Sequence, residues 1–281
     1  MIRKDEYDMI LLVSSKKDVA SLNIAKQILE NYSFEEKASF QGNPVYETIL
    51  GNRKVRLITL NEESVKAQSL TNSFDEVDLM VFISRHSSES GTPTLSVHTP
   101  GNLGKAELGG LPRRVSISPA NAMRNALRIM ARLRSEMQLS YDVSYECTHH
   151  GPSLGVPTMF VELGSSAAQW NDPVGAEAVA QAAMEAVSAF GVGQAKAVLG
   201  IGGPHYNSKF TRIALENDLA FGHIIPKYAI EDIDIEIIRH CVDRTLEKVD
   251  NAILDWKGIR GENKVTLVKM LTEIGLPFEK V

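Results

Sequence analysis

Short apolar runs alternating with amphipathic segments constrain this chain more than any other feature. Met9 to Val13 reads MILLV without interruption and stops at Ser14-Ser15, the pattern of a strand covered on both faces. Leu79 to Ile83, Thr158 to Leu163 and Lys196 to Ile201 repeat it, with shorter strands expected at Leu95 to His98, ending at Tyr145-Glu146-Cys147, and at Phe221 to Ile225. Asp18 stands as a cap before Val19, Leu22, Ile24, Ala25 and Ile28, a helical stripe ending near Asn31. Ser118-Pro119 opens a second helix, with Ser as cap and Pro in the first turn, and Met123, Leu127, Met130, Leu133 and Met137 form its apolar stripe. Further helices are predicted from Asp172-Pro173 to about Phe190, Ser208 to Asn217, Asp234 to Val249 and Lys264 to Ile274. Tyr46 to Leu50 and Val55 to Leu60 alternate in period two about Gly51-Asn52-Arg53-Lys54, which is a hairpin signature. Interleaved elements plus this hairpin predict an α/β fold with a mixed, mostly parallel central sheet flanked by helices. Without repeats or linkers, one domain over residues 1–281 is expected.

Composition narrows the setting. Apolar residues make up 43% and charged residues 23% of the 281, which suits a folded chain rather than a disordered one. A net charge of −5 gives no global attraction to nucleic acid, so an RNA partner would need a local basic surface. Two cysteines, Cys147 and Cys241, are too few for a disulfide framework and fit a reducing, cytoplasmic compartment. No apolar run approaches the ~20 residues that span a bilayer, and no membrane association is expected. No obligate protein partner is evident, and a monomer is the plain expectation.

Histidine placement is the chemical signal. His86 follows one strand, His98 ends another, and His149-His150 and His205 follow two more. Ligand sites in open α/β sheets lie beyond the carboxyl ends of the strands, so these imidazoles can converge. Two or three imidazoles with a carboxylate suit a catalytic zinc with an open position. In His86-Ser87-Ser88-Glu89 the glutamate could bind the same ion or serve as base toward a water. Glu162, inside Met159-Phe160-Val161-Glu162-Leu163, is expensive to bury unless paired or bound to a cation. Cys147 could be a thiolate or a soft ligand, although a small buried strand residue is the plainer reading. His240 reads as packing and His223 stays open. Gly200-Ile201-Gly202-Gly203 lacks the spacing of a dinucleotide or P-loop motif, so its glycines read as a tight turn or a close approach to ligand.

A basic cluster follows the histidine-bearing loop. Lys105, Arg113, Arg114, Arg124, Arg128, Arg132 and Arg134 are offset only by Glu107, and Arg124, Arg128 and Arg132 step at i+4. An ordinary solvated helix face is the bland explanation. Arginine over lysine, so close to the histidines, favours an anionic polymer or phosphate partner.

Taken together, Ser84-Arg85-His86-Ser87-Ser88-Glu89-Ser90-Gly91, Ser96-Val97-His98-Thr99-Pro100-Gly101-Asn102, Thr148-His149-His150-Gly151-Pro152, Phe160-Val161-Glu162-Leu163-Gly164-Ser165 and Gly202-Gly203-Pro204-His205-Tyr206 resemble the archaeal and plant-type D-aminoacyl-tRNA deacylase family. The resemblance covers nearly the whole chain; one departure is that Gly202-Gly203-Pro204 stands where a third glycine is expected. It implies a fold similar to the phosphorylase and peptidyl-tRNA hydrolase type, an association with zinc, and hydrolysis of the ester between a D-amino acid and the terminal ribose of tRNA. On this basis His150, Glu89, Glu162 and His86 are the catalytic candidates, and His98, His149, His205 and His86 the metal ligands. Lys105, Arg113, Arg114, Arg124, Arg128 and Arg132 would hold the charged tRNA, and Gly202, Gly203 and Tyr206 would shape the substrate pocket. A zinc-dependent peptidase or amidase of similar fold would explain the histidines but not the arginines. A non-catalytic tRNA-binding protein would do the reverse.

Overall fold

The computed structural model describes residues 8–74 and 76–281. Numbered along the chain, the larger sheet contains β1 (Asp8–Ser15), β2 (Glu35–Phe40), β3 (Asn43–Leu50), β4 (Arg53–Leu60), β5 (Val77–Arg85), β6 (Thr94–His98), β9 (Asp142–Tyr145) and β10 (Thr158–Gly164). Between β6 and β9 a short pair, β7 (Gly101–Asn102) and β8 (Arg114–Val115), folds the long loop back on itself. A smaller sheet contains β11 (Lys196–Ile201), β12 (Leu219–Ile225), β13 (Val249–Leu254) and β14 (Phe278–Lys280). The helices are α1 (Val19–Asn31), α2 (Ala120–Glu136), α3 (Ala167–Trp170), α4 (Pro173–Ser188), α5 (Ser208–Glu216), α6 (Ile235–Asp243) and α7 (Gly261–Glu273).

The larger sheet runs β2-β3-β4-β1-β5-β10-β6-β9 and the smaller β12-β11-β13-β14. β4, β1, β5 and β10 are parallel neighbours, whereas β6 runs antiparallel to β10. The expected mixed α/β architecture is therefore present, divided between two sheets. Both meet in one core: Val198, Phe221, Ile224 and Ile253 of the smaller sheet join the cluster that holds Val81, Val97 and Val161 of the larger. Because β1 and β5 are flanked on both sides, Ile10 to Val13 and Leu79 to Ile83 are fully buried.

Local rules account for α1, where the Asp18 carboxylate accepts the Ser21 amide as a cap. They fail at α2. Ser118 is not its cap; instead Glu247 accepts the Ala120 and Asn121 amides at 2.9 and 3.0 Å, from far along the chain. The helix expected from Asp234 to Val249 also ends early, at Asp243. The Ser118 amide donates to the Arg244 carbonyl at 2.7 Å and the Leu246 amide to the Ser118 carbonyl at 2.8 Å, which draws the chain out of the helix and on into β13. Strands β2 and β14 had no apolar run to mark them, β2 being mostly exposed EEKASF.

Candidate active site

The ends of β5, β6, β9 and β11 deliver five imidazoles and Glu146 to one place, and β10 adds Glu162. β10 places Glu162 beside Ser84 of β5, whose hydroxyl donates to Glu162 Oε1 at 2.7 Å. Nδ1 of His86 lies 3.2 Å from Glu146 Oε1 and 3.5 Å from Glu162 Oε2. Both carboxylates are almost wholly buried. Close approach of β10 to this loop requires glycine: a Cβ at Gly164 would come within 2.6 Å of His86 Cβ and of its carbonyl.

Alongside, His98, His149 and His150 pack ring against ring with centroids 4.2 to 4.8 Å apart, and His98 stacks on Phe160. His150 adopts φ +42°, a left-handed backbone that is strained for a residue with a Cβ and that turns its ring toward His98. Nδ1 of His149 bonds the Cys147 carbonyl at 2.8 Å, and Nδ1 of His150 bonds the Gly151 carbonyl at 2.6 Å. Each carbonyl accepts only from an N–H, so Nδ1 carries the proton and Nε2 is left with a free lone pair. His98 is buried with neither ring nitrogen hydrogen-bonded. His205 joins the two groups, with Nε2 2.9 Å from Glu146 Oε2 and Nδ1 3.1 Å from the Tyr228 hydroxyl.

Electrostatics separate the imidazoles into two kinds. Burial would lower His86, but its contacts with Glu146 and Glu162 outweigh this and hold it up at about 10. Burial likewise opposes charge on His205, while Cys147 and Glu146 raise it to about 10. Burial and the neighbouring His98 push His150 down to about 4, and His149 is driven down for the same two reasons. Burial works against ionised Glu162, yet His86 and His98 bring it to about 2. Two cationic imidazoles therefore flank anionic carboxylates, and neutral imidazoles with free lone pairs lie next to them.

Two clefts open on this cluster. An inner one of about 620 Å³ reaches His86, Glu146, Glu162 and Tyr206, and an outer one of about 790 Å³ reaches Lys105, Arg113 and Tyr228. His149, His150 and His205 border both, and the loop at Glu107-Leu108 divides them.

The sequence-predicted residues divide accordingly. His86, His98, His149, His150, His205 and Glu162 come together, and Tyr206 joins them by accepting a 2.7 Å hydrogen bond at its hydroxyl oxygen from His86 Nε2. Glu89 does not: it is exposed in the loop after β5 and lines neither cleft. Gly202 and Gly203 also line neither; at φ +105° and +77° they turn the chain against Asp255 and Asn207. Arg124 is buried, its guanidinium bonded to the Ala214 and Asn217 carbonyls and to Asp218, so it stitches α2 to α5 and cannot face RNA. Arg113 is paired with Asp234 at 2.7 Å and Arg132 with Glu136 at 2.9 Å, while Arg114 and Arg128 are exposed. Glu146 was missed as a site residue, although a carboxylate at the end of a short strand just before His149 was the same signal that marked Glu162.

Comparison with known proteins agrees with the motifs. The D-aminoacyl-tRNA deacylase family model matches residues 73–279. The chain belongs to this family. It is 39% identical to the D-aminoacyl-tRNA deacylase of Pyrococcus furiosus, with 97% of this chain and 100% of that protein aligned. The enzymes of Thermococcus kodakarensis and Methanococcus vannielii are 38% and 34% identical, each over 96% of this chain and 99% of their own length. A crystal structure of a conserved protein of unknown function superposes with a TM-score of 0.86 at 27% identity, covering 98% of this chain and 96% of that one. Among the described residues no helix is long and apolar enough to cross a membrane.

Proposed function

We propose that this protein hydrolyses the ester linking a D-amino acid to the terminal ribose of tRNA, releasing both, and so removes D-amino acids from translation. The near end-to-end alignment with relatives of that name carries the reading. Hydrolysis needs a water oxygen to bond the acyl carbon, the bond from that carbon to the ribose oxygen to break, and a proton to reach the ribose oxygen.

The cluster supplies groups for each need. Glu162, held anionic, is the base that takes a proton from the attacking water. His205, held cationic and bordering both clefts, is placed to protonate the leaving ribose oxygen. His86 keeps Glu146 and Glu162 ionised side by side, where two bare carboxylates would repel. A zinc ion fits this donor set: His98 has two buried nitrogens without a hydrogen bond, His149 and His150 each keep Nε2 unprotonated, and one ring nitrogen of each of the three lies within 4.8 Å of the others. Bound there, zinc would supply Lewis-acid stabilisation of the developing negative charge. Lys105, exposed at the rim of the outer cleft, is the cation best placed for the tRNA acceptor end, Arg113 beside it being paired with Asp234.

The test is deacylation by the purified protein of one tRNA charged with the D- or the L-form of the same amino acid. Rapid release from the D-form alone, lost with chelator and restored by zinc, is expected. Equal release from both, or none from either, would overturn the assignment.

A further inference from the structure

Resting on that reading, we infer that the outer cleft is the seat of the 3′-terminal adenosine, with its base stacked on Tyr228, and that the aminoacyl group enters the inner cleft. The ester must sit at the three histidines that border both clefts, so its two halves diverge to either side of the Glu107-Leu108 loop. The clefts differ in what they can hold. Tyr228 is 57% exposed, unusual for a tyrosine in a cleft wall, and its hydroxyl is tethered to His205 Nδ1 and Cys147 Sγ at 3.1 and 3.2 Å. A ring fixed at its hydroxyl end and otherwise more than half exposed offers a preorganised stacking platform, because every base presents a π-face. Pro226 and Ile233 add apolar wall, and Lys105 stands exposed at the rim, whereas Arg113 is already paired with Asp234.

The inner cleft has the opposite character. Its aromatic ring at the mouth, Tyr206, is only partly exposed and meets His86 and His205 edge-on. At its floor the buried carboxylates Glu146 and Glu162 stand side by side, with Lys17, Lys66 and Arg85 on the surrounding wall. That carboxylate pair suits the α-ammonium of an aminoacyl group.

The experiment compares two esters of one D-amino acid, the adenosine 3′-ester and the ethyl ester, through the ratio of their kcat/KM values. Wild-type protein should favour the adenosine ester. Tyr228→Ala should cut the ratio by about ten-fold or more, the scale of one base on one ring, whereas Tyr228→Phe should preserve it. An unchanged ratio in Tyr228→Ala, or an equal loss on both esters, overturns the inference. Nuclear Overhauser contacts between adenosine 5′-monophosphate and the Tyr228 ring in wild-type protein test the same point without a substitution; contacts to Tyr206 instead would reverse the cleft assignment. Failure of the wild-type protein to cleave D-aminoacyl-tRNA at all would count against the deacylase reading, not against this subsite alone.

Discussion

The Tyr206 hydroxyl lies 2.7 Å from Nε2 of His86, a residue 120 positions earlier in the chain. Because His86 is held protonated, its Nε2–H donates and the phenol oxygen accepts, while Nδ1–H faces Glu146 and Glu162. Tyr206 thus aims the cation that keeps both carboxylates ionised. Tyr206→Phe should lower deacylation by about 10-fold, the worth of one hydrogen bond to a charged group, with unchanged far-ultraviolet circular dichroism. Full activity in this variant would show that His86 needs no such support.

His98 should decide metal retention. Both of its buried nitrogens want a partner, so His98→Ala should lose bound zinc in elemental analysis and lower activity by roughly 1,000-fold. Zinc content equal to wild type would move the site elsewhere in the cluster.

The two glutamates of the sequence motifs should behave differently. Glu162→Gln keeps the shape and the bond from Ser84 but removes the base, and a loss of about 100- to 10,000-fold is expected. Glu89→Gln, exposed and outside both clefts, should change turnover by less than about 2-fold. The reverse order would restore Glu89 as the base.

Glu247 tests the fold apart from the chemistry. Its carboxylate caps the first two amides of α2, so Glu247→Ala should cost about 1–2 kcal/mol in denaturant unfolding. Turnover per folded molecule should stay the same.

Alongside the buried neutral His149 and His150, His223 should add its own share to acid sensitivity. It is fully buried, and burial pushes its pKa down to about 3, despite a bond to the Arg244 carbonyl. The unfolded chain protonates near the ordinary value of 6.5 while the folded chain does not, so stability is complete above about pH 6.5 and falls as pH drops toward 3. Between about pH 7.5 and 4.5 this one group should cost about 2–3 kcal/mol. Unfolding of His223→Gln at both pH values should show a smaller acid loss than wild type, and parallel losses would exclude this origin.

Much of the fold was legible because local and tertiary preferences agree there. Ile10 to Val13 had to be a buried strand, and the Asp18 cap was written in the adjacent residues. Histidine convergence was expected from strand ends sharing one edge. Instead, β6 and β9 run opposite to β5 and β10 and β11 lies in the smaller sheet, so the imidazoles meet where these short strands end against one another. The misreadings all came from partners remote in sequence. Ser118 interrupts α6 by bonding around Arg244, and Glu247 supplies the cap that Ser118 was expected to give. Arg124 follows the i+4 spacing of Arg128, yet α2 packs on α5 as well as α4, so its buried face is wider than the methionine and leucine stripe. Glu89 was favoured by proximity to His86 in the motif, while Glu146 reached the same imidazole from β9.

His205 reaches the cluster from the smaller sheet, long after His86 and His98 have been laid down in the larger. A fragment ending before β11 would therefore lack both His205 and Tyr206, the side chains that contact Glu146 and His86 from that sheet's side of the cluster.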